Sequence, residues 1–231
     1  MKVKTDKRGV ATVSLNRPDR NNAYNGEMID ALLKGAAKLG ADPKVRVVVI
    51  RGEGRHFQAG ADLAWIQSVR DQTVAENISV SQRTTDAGHG LTCMGKPTIA
   101  LIHGGCFGGG AWVAAACDII IAAENAFFAL PAPRVGLAAM AGGLIRLPRQ
   151  IPQKQAMGMI LTGRRVMAEE GYRLGFVTEV VPEVVTDEVA LVVAEVVPVV
   201  DTDDDPDVVT DEVSDEVNDD VAVDVTDDVA D

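Results

Sequence analysis

The stretch Pro97-Thr98-Ile99-Ala100-Leu101-Ile102-His103 runs straight into Gly104-Gly105-Cys106-Phe107-Gly108-Gly109-Gly110. It continues through Ala111-Trp112-Val113-Ala114-Ala115-Ala116-Cys117 to Asp118-Ile119-Ile120-Ile121-Ala122. The first segment is a short apolar run with a proline at its head, which predicts a strand. The glycine cluster predicts a turn, and the small residues from Ala111 to Cys117 predict a helix that packs closely. Three consecutive isoleucines after Asp118 predict a second strand. Strand, Gly-rich turn, helix and strand in that order are α/β organisation, and its recurrence along the chain suggests stacked ββα units.

Upstream, Val10-Ala11-Thr12-Val13-Ser14-Leu15-Asn16 alternates as a strand does and is closed by Arg17-Pro18-Asp19. Asn25 can cap a helix over residues 26–39, with Met28, Leu32, Leu33 and Ala36 on one face and Gly40 as its stop. Residues 45–51 are nearly continuous in β-branched side chains, the pattern of a strand buried on both faces. The polar turn Gly52-Glu53-Gly54-Arg55-His56 leads into Phe57-Gln58-Ala59-Gly60-Ala61-Asp62-Leu63, from which a helical stretch begins at about Asp62. Residues 71–94 read as a polar helical region. Further helical pieces are expected at 142–149, 155–161 and 168–174, and a last strand at 176–181.

Charge divides the chain. Residues 1–173 hold all 22 Lys and Arg with 14 of the 34 acidic residues, a net charge of +8. Beyond Arg173 there are 20 acidic residues and no Lys or Arg. From Thr210 a four-residue unit repeats, as in Thr210-Asp211-Glu212-Val213 and Ser214-Asp215-Glu216-Val217. Valine at every fourth position would drift around a helix, and the Asp, Thr and Asn between are poor helix formers whose like charges repel. The reading is a core over 1–183 followed by a disordered acidic tail over 184–231. A weak calcium site is the alternative, although the repeat lacks the glycine and ligand spacing of an EF-hand.

Several classes of function are disfavoured. No apolar run reaches the roughly 18–20 residues that span a bilayer, and residues 1–8 show no apolar signal core. A cytoplasmic protein with no membrane partner is expected. Three cysteines (Cys93, Cys106, Cys117) and three histidines (His56, His89, His103) lack metal-binding spacing, so no metal is expected and the thiols read as free and buried. Positive charge is spread out and only 4 % of residues are aromatic, which gives a nucleic-acid partner little support.

Two backbone features can carry chemistry. Ala59-Gly60-Ala61-Asp62 follows a strand and turn, and Gly108-Gly109-Gly110 stands where a strand hands over to a helix. Glycine allows a substrate close to the backbone, and a helix N-terminus offers free N–H groups and a positive dipole end. Two such N–H groups aimed at one point make an oxyanion hole, which can hold the enolate oxygen of a thioester without any side chain. Each motif alone is as easily a tight turn.

In their order and surroundings these stretches resemble the enoyl-CoA hydratase/isomerase (crotonase) family. The resemblance rests on Val13-Ser14-Leu15-Asn16-Arg17-Pro18 with Asn22-Ala23, on Phe57 to Leu63, and on Lys96-Pro97-Thr98-Ile99-Ala100 running to Gly110. It continues through Ala116-Cys117-Asp118-Ile119, Pro133-Arg134-Val135-Gly136-Leu137, residues 142–148 and Leu161-Thr162-Gly163-Arg164, covering roughly residues 8–183. It implies a crotonase-type spiral of ββα units that binds acyl-CoA thioesters, with coenzyme A as part of the substrate and no separate cofactor. It further implies oxyanion donors at the backbone N–H groups of Ala59 and Gly109, with Gly60, Ala61, Asp62 and Gly108 around the thioester. Arg17, Arg20 and Ala23 fall in the segment that usually meets CoA. A lyase or isomerase of fatty acid metabolism, assembled as a homotrimer or dimer of trimers, is what the family implies, and the +8 body suits a polyanionic ligand.

Two positions depart from the family's hydratases, which supply glutamates two residues after the triple glycine and before the Val-Gly-Leu. Here they are Trp112 and Ala132. Neither can move a proton, and losing acid–base assistance worth about 10²–10⁴-fold should nearly silence hydration. The length usually given to helices that complete the pocket and support trimers is here the acidic repeat. The alternatives are therefore a non-catalytic CoA-thioester binder, or an isomerase or thioester hydrolase using His103 as base. His103 reads equally as a hydrogen-bonded histidine at a strand end, and Asp62 as a helix cap. Trp112 reads as a core or pocket-wall aromatic, with a grip on the acyl group as the functional option. Cys106 has no paired base and reads as packing.

Overall fold

Val47–Gly52 forms a strand whose successive side chains are apolar on both sides, so it can be buried only between two layers. Val48 and Ile50 enter one apolar cluster while Val47 and Val49 enter another. The structure, a computed structural model, describes residues 1–137 and 143–183. The acidic repeat, its tail boundary, Gly142 and residues 138–141 lie outside the described residues.

In chain order the strands are Lys2–Thr5 (β1), Val10–Leu15 (β2), Val47–Gly52 (β3), Thr98–Ile102 (β4), Gly105–Phe107 (β5), Ile119–Ala123 (β6), Phe127–Ala129 (β7), Arg165–Met167 (β8) and Glu179–Val181 (β9). One six-stranded sheet has the order β1-β2-β3-β4-β6-β9, antiparallel only between β1 and β2. The register sets Ile50 beside Ala100 and Ala100 beside Ile120, so branched side chains flank a small one across the buried face. A second, three-stranded sheet has the order β5-β7-β8. Its strands have three residues each, too short for alternation to show in sequence. β1 was hidden for another reason: its four side chains are exposed at the sheet edge.

The helices are Gly26–Ala41 (α1), Leu63–Arg70 (α2), Val74–Thr92 (α3), Gly109–Ala116 (α4), Gly143–Gln150 (α5), Gln153–Thr162 (α6) and Ala168–Arg173 (α7). Asn25 caps α1 as expected, its side-chain oxygen accepting the Met28 N–H at 3.1 Å. Gly40, expected as the stop, instead lies inside the last turn. A Cβ there would come within 2.8 Å of the Met94 carbonyl oxygen, so this glycine lets α1 approach the chain after α3 closely. The polar region 71–94 gains a sharp start from a capping box, Thr73 and Glu76 each bonding the other's backbone N–H. The last expected strand is shorter than the sequence suggested, because Phe176 and Val177 give their N–H groups to the Gly171 carbonyl.

All three cysteines are free, and Cys93 is exposed rather than buried as expected. Among the described residues no helix is long and apolar enough to cross a membrane.

Candidate active site

Three backbone hydrogen bonds lay the chain after β3 alongside β5 and the residues before it, and a fourth ties the chain after β5 to β7. Phe57 and Gln58 donate to the carbonyls of His103 and Gly105 at 3.1 and 3.3 Å, and Phe107 returns a bond to the Gln58 carbonyl at 2.8 Å. Gly108 donates to the Ala129 carbonyl of β7 at 2.9 Å. The two glycine turns, separate in sequence, thereby become neighbours. Gly60 and Gly108 have φ of +87° and +49°, which side chains rarely tolerate. A Cβ on Gly60 would lie 3.7 Å from the Gly109 nitrogen, and one on Gly108 would lie 3.8 Å from the Gly60 Cα.

The N–H groups around this junction decide what it can bind. The Ala59 N–H, expected to be an oxyanion donor, is given to the Asn21 carbonyl at 2.9 Å. That bond corrects the expectation, since a donor engaged within the fold is not free for a ligand. Two residues on, Tyr24 donates to the Gly60 carbonyl at 2.8 Å and Asp62 donates to the Tyr24 carbonyl at 2.9 Å. These bonds turn the peptide edge of Ala61 away from the Tyr24 backbone. Among the described residues, the Gly60 and Ala61 N–H groups have no partner, and neither does the Gly109 N–H in the first turn of α4. That turn is also the positive end of the helix.

Asn22 anchors the junction, a role the sequence did not reveal beyond its place in the family motif. It is fully buried, with φ of +56°. Its amide nitrogen donates to the carbonyls of Glu53 and His56 at 2.8 and 2.9 Å, and its oxygen accepts the Arg17 N–H at 2.9 Å. Arg17 donates to Asp62 at 2.9 Å and to the Ala23 carbonyl, so its guanidinium ties the loop after β2 to the start of α2. Asp62 also accepts from the Ala64 and Trp65 N–H groups, which makes it the helix cap. The Arg17 hydrogen bond holds the Asp62 carboxyl below its ordinary value, with the cap bonds acting in the same direction. Ala23 is buried, whereas Arg20 is exposed and open to solvent contact.

His103 is not at this junction. Its Nε2 donates to the Gly54 carbonyl at 2.7 Å, and β5 separates it from Gly109. The expected base is therefore a strand-end histidine fixed to a neighbouring turn. His56 serves the fold as well: its Nδ1 accepts the Gly105 N–H at 2.9 Å. Its ring also meets Phe107 and Phe127 edge to face. Trp112 is only 3 % exposed and its indole lies against Gly88 of α3. Of the readings offered by the sequence, its burial fits the core aromatic, and the substrate contact expected for it is not what this burial favours. Burial pushes the Cys106 thiol well up, which suits packing and not nucleophilic attack. Ala132 opens a 3₁₀ turn, three residues beyond the Ala129 carbonyl that holds Gly108, and is partly exposed.

Tyr24 is the residue whose position the sequence did not signal. Gly109 has no side chain where the Tyr24 ring lies, and a Cβ there would overlap that ring. Trp65, set by the Asp62 cap, packs edge to face on Tyr24 with centroids 5.8 Å apart. Among the described residues no group of three or more His, Cys, Asp or Glu could hold a metal ion.

The sequence model described as "Enoyl-CoA hydratase/isomerase" matches residues 5–202. The chain belongs to this family. A Thermus thermophilus protein assigned to the enoyl-CoA hydratases is 38 % identical over 180 residues, covering 78 % of this chain and 71 % of its own. The human Delta(3,5)-Delta(2,4)-dienoyl-CoA isomerase of mitochondria is 34 % identical over 192 residues, covering 79 % of this chain and 58 % of the isomerase. Among solved structures, the enoyl-CoA hydratase of Mycobacterium smegmatis superposes with a TM-score of 0.80 at 31 % identity, covering 85 % of this chain and 75 % of that one. The crotonase-type α/β fold expected from the sequence is the fold observed.

Proposed function

We propose that this enoyl-CoA hydratase/isomerase family member binds acyl-CoA thioesters and holds the thioester oxygen between the backbone N–H groups of Ala61 and Gly109. The observation behind the reading is that the Gly60 turn lies against the Gly109 nitrogen at the positive end of α4, while the Ala61 and Gly109 N–H groups have no partner among the described residues. When electrons move onto the thioester carbonyl, as in enolate formation, charge gathers on that oxygen. Preorganised donors stabilise it there, each worth about 2.7–4 kcal/mol where such a donor has been removed from an enzyme. Family resemblance and the +8 charge of residues 1–173 support a coenzyme A ester as the ligand.

The reaction drawn on this hole is set by the acid–base groups beside it. With Trp112 buried and Ala132 without a proton, water activation by paired glutamates is absent from these two positions. Slow hydration of enoyl thioesters is expected, and a non-catalytic thioester binder is the second reading, favoured by the same two residues.

Calorimetric titration of the folded chain with butyryl-CoA tests the proposal. Saturable binding is expected, and a folded sample that binds nothing overturns it. Loss of the conjugated absorbance of crotonyl-CoA then separates the readings: slow turnover supports the enzyme, and binding without turnover supports the binder.

A further inference from the structure

Tyr24 brings a phenol to the edge of the proposed oxyanion hole. Its backbone is bonded on both sides of Ala61, through the Gly60 carbonyl and the Asp62 N–H. Its ring occupies the space beside Gly109, where the ring carbon bearing the hydroxyl is 3.3 Å from the position a Gly109 Cβ would take. One tyrosine thus contacts both halves of the hole, by backbone at one and by ring at the other. Trp65 packs against the ring and restricts its swing. The hydroxyl makes no hydrogen bond to any described residue, and it is not among the fully buried polar atoms left without a partner.

We propose that the Tyr24 hydroxyl is a third hydrogen-bond donor to the thioester group held by Ala61 and Gly109, a contact that rests on the function proposed above. Two features fit this role. A half-buried ring loses little freedom when its hydroxyl engages a ligand, and a hydroxyl with no protein partner breaks no existing bond to do so. Burial also pushes the Tyr24 pKa above its ordinary value, so the phenol keeps its proton at neutral pH and donates. No proton need leave it. The bond strengthens as charge builds on the thioester oxygen, which gives the site a side-chain contribution despite Trp112 and Ala132.

The test is Tyr24→Phe, which keeps the ring against Trp65 and Gly109 and removes only the hydroxyl. The probe is 2,4-hexadienoyl-CoA, whose conjugated absorbance moves to longer wavelength when its carbonyl is polarised by hydrogen bonds. The parent is expected to bind the probe with such a shift. Tyr24→Phe is expected to bind about three- to tenfold more weakly and to show a smaller shift at saturation. An unchanged shift and affinity in the variant overturn the role of Tyr24 while leaving thioester binding intact. A folded parent that does not bind the probe overturns both proposals.

Discussion

The indole of Trp112 lies where Gly88 would carry its side chain, and a Cβ on Gly88 would overlap the ring carbons and nitrogen of Trp112. The pair joins α3 to α4, the helix that begins at Gly109. Alanine is the better helix former by roughly 0.5–1 kcal/mol in a helix interior, yet here packing must decide the sign. Forcing an extra carbon into a filled core costs typically 1–3 kcal/mol. Gly88→Ala is therefore expected to lower the unfolding free energy, read from denaturant midpoints at an unchanged slope. A variant as stable as the parent would show that Trp112 has room to move aside.

Asn22 offers a different kind of test because its bonds, not its volume, hold the site. Asn22→Ala would leave the carbonyls of Glu53 and His56 and the N–H of Arg17 without their partner. Unsatisfied buried groups cost about 1–3 kcal/mol each, and the left-handed backbone at this position adds strain for alanine. Loss of stability is expected together with weaker butyryl-CoA binding, since the same bonds hold the turn from Glu53 to His56 that leads into the Ala61 segment. Unaltered affinity in a folded Asn22→Ala protein would separate the anchor from the site.

These cases show what the sequence could and could not disclose. Asn25 and Asp62 were legible as helix caps because a cap depends on residues within one turn. The strands of the large sheet were legible from their branched runs. Which N–H of the Ala59 to Asp62 turn is free was not legible, because it is decided by the Asn21 and Tyr24 carbonyls, which come from another loop. His103 looked catalytic for its place beside the glycines, but its direction is set by the Gly54 carbonyl across the sheet. Tyr24 gave no signal at all, since its importance lies in filling the space that Gly109 leaves.

His56 predicts a pH dependence. Burial lowers its pKa below the ordinary 6.5, with the charge of Arg55 and the neighbouring His103 acting in the same direction. The neutral ring is the form that accepts the Gly105 N–H through Nδ1. A group with a depressed folded pKa takes up its proton more readily when unfolded, so acidification favours the unfolded chain. Its contribution is present above pH 6.5 and is lost as pH falls from there towards the lower folded value. The carboxyl of Asp62, also lowered, acts only further down, below its ordinary 3.8. His56→Asn, which retains an acceptor but does not titrate, should flatten the stability curve just below pH 6.5 while leaving the more acidic loss in place. An unchanged slope between pH 5 and 6.5 would remove His56 as its source.

Restoring a carboxylate tests whether the site lacks only its proton-moving groups. The two positions are not equivalent. Trp112 is sealed in the core, so a glutamate there would bury a charge and open a large cavity, and the fold would fail before the chemistry could be read. Ala132 is partly exposed at the start of a 3₁₀ turn whose bonds run through its carbonyl, so a longer side chain can be added without breaking them. General acid–base assistance is typically worth about 10²–10⁴-fold, and with one group of two restored the lower end is the fitting expectation. Ala132→Glu should accelerate the loss of crotonyl-CoA absorbance by at least about tenfold, with butyryl-CoA affinity little changed. Unchanged turnover in a variant that still binds would mean that the side chain at 132 does not face the bound thioester. A rise that disappears when the pH is taken below the titration of the new carboxyl would show that its ionised form does the work.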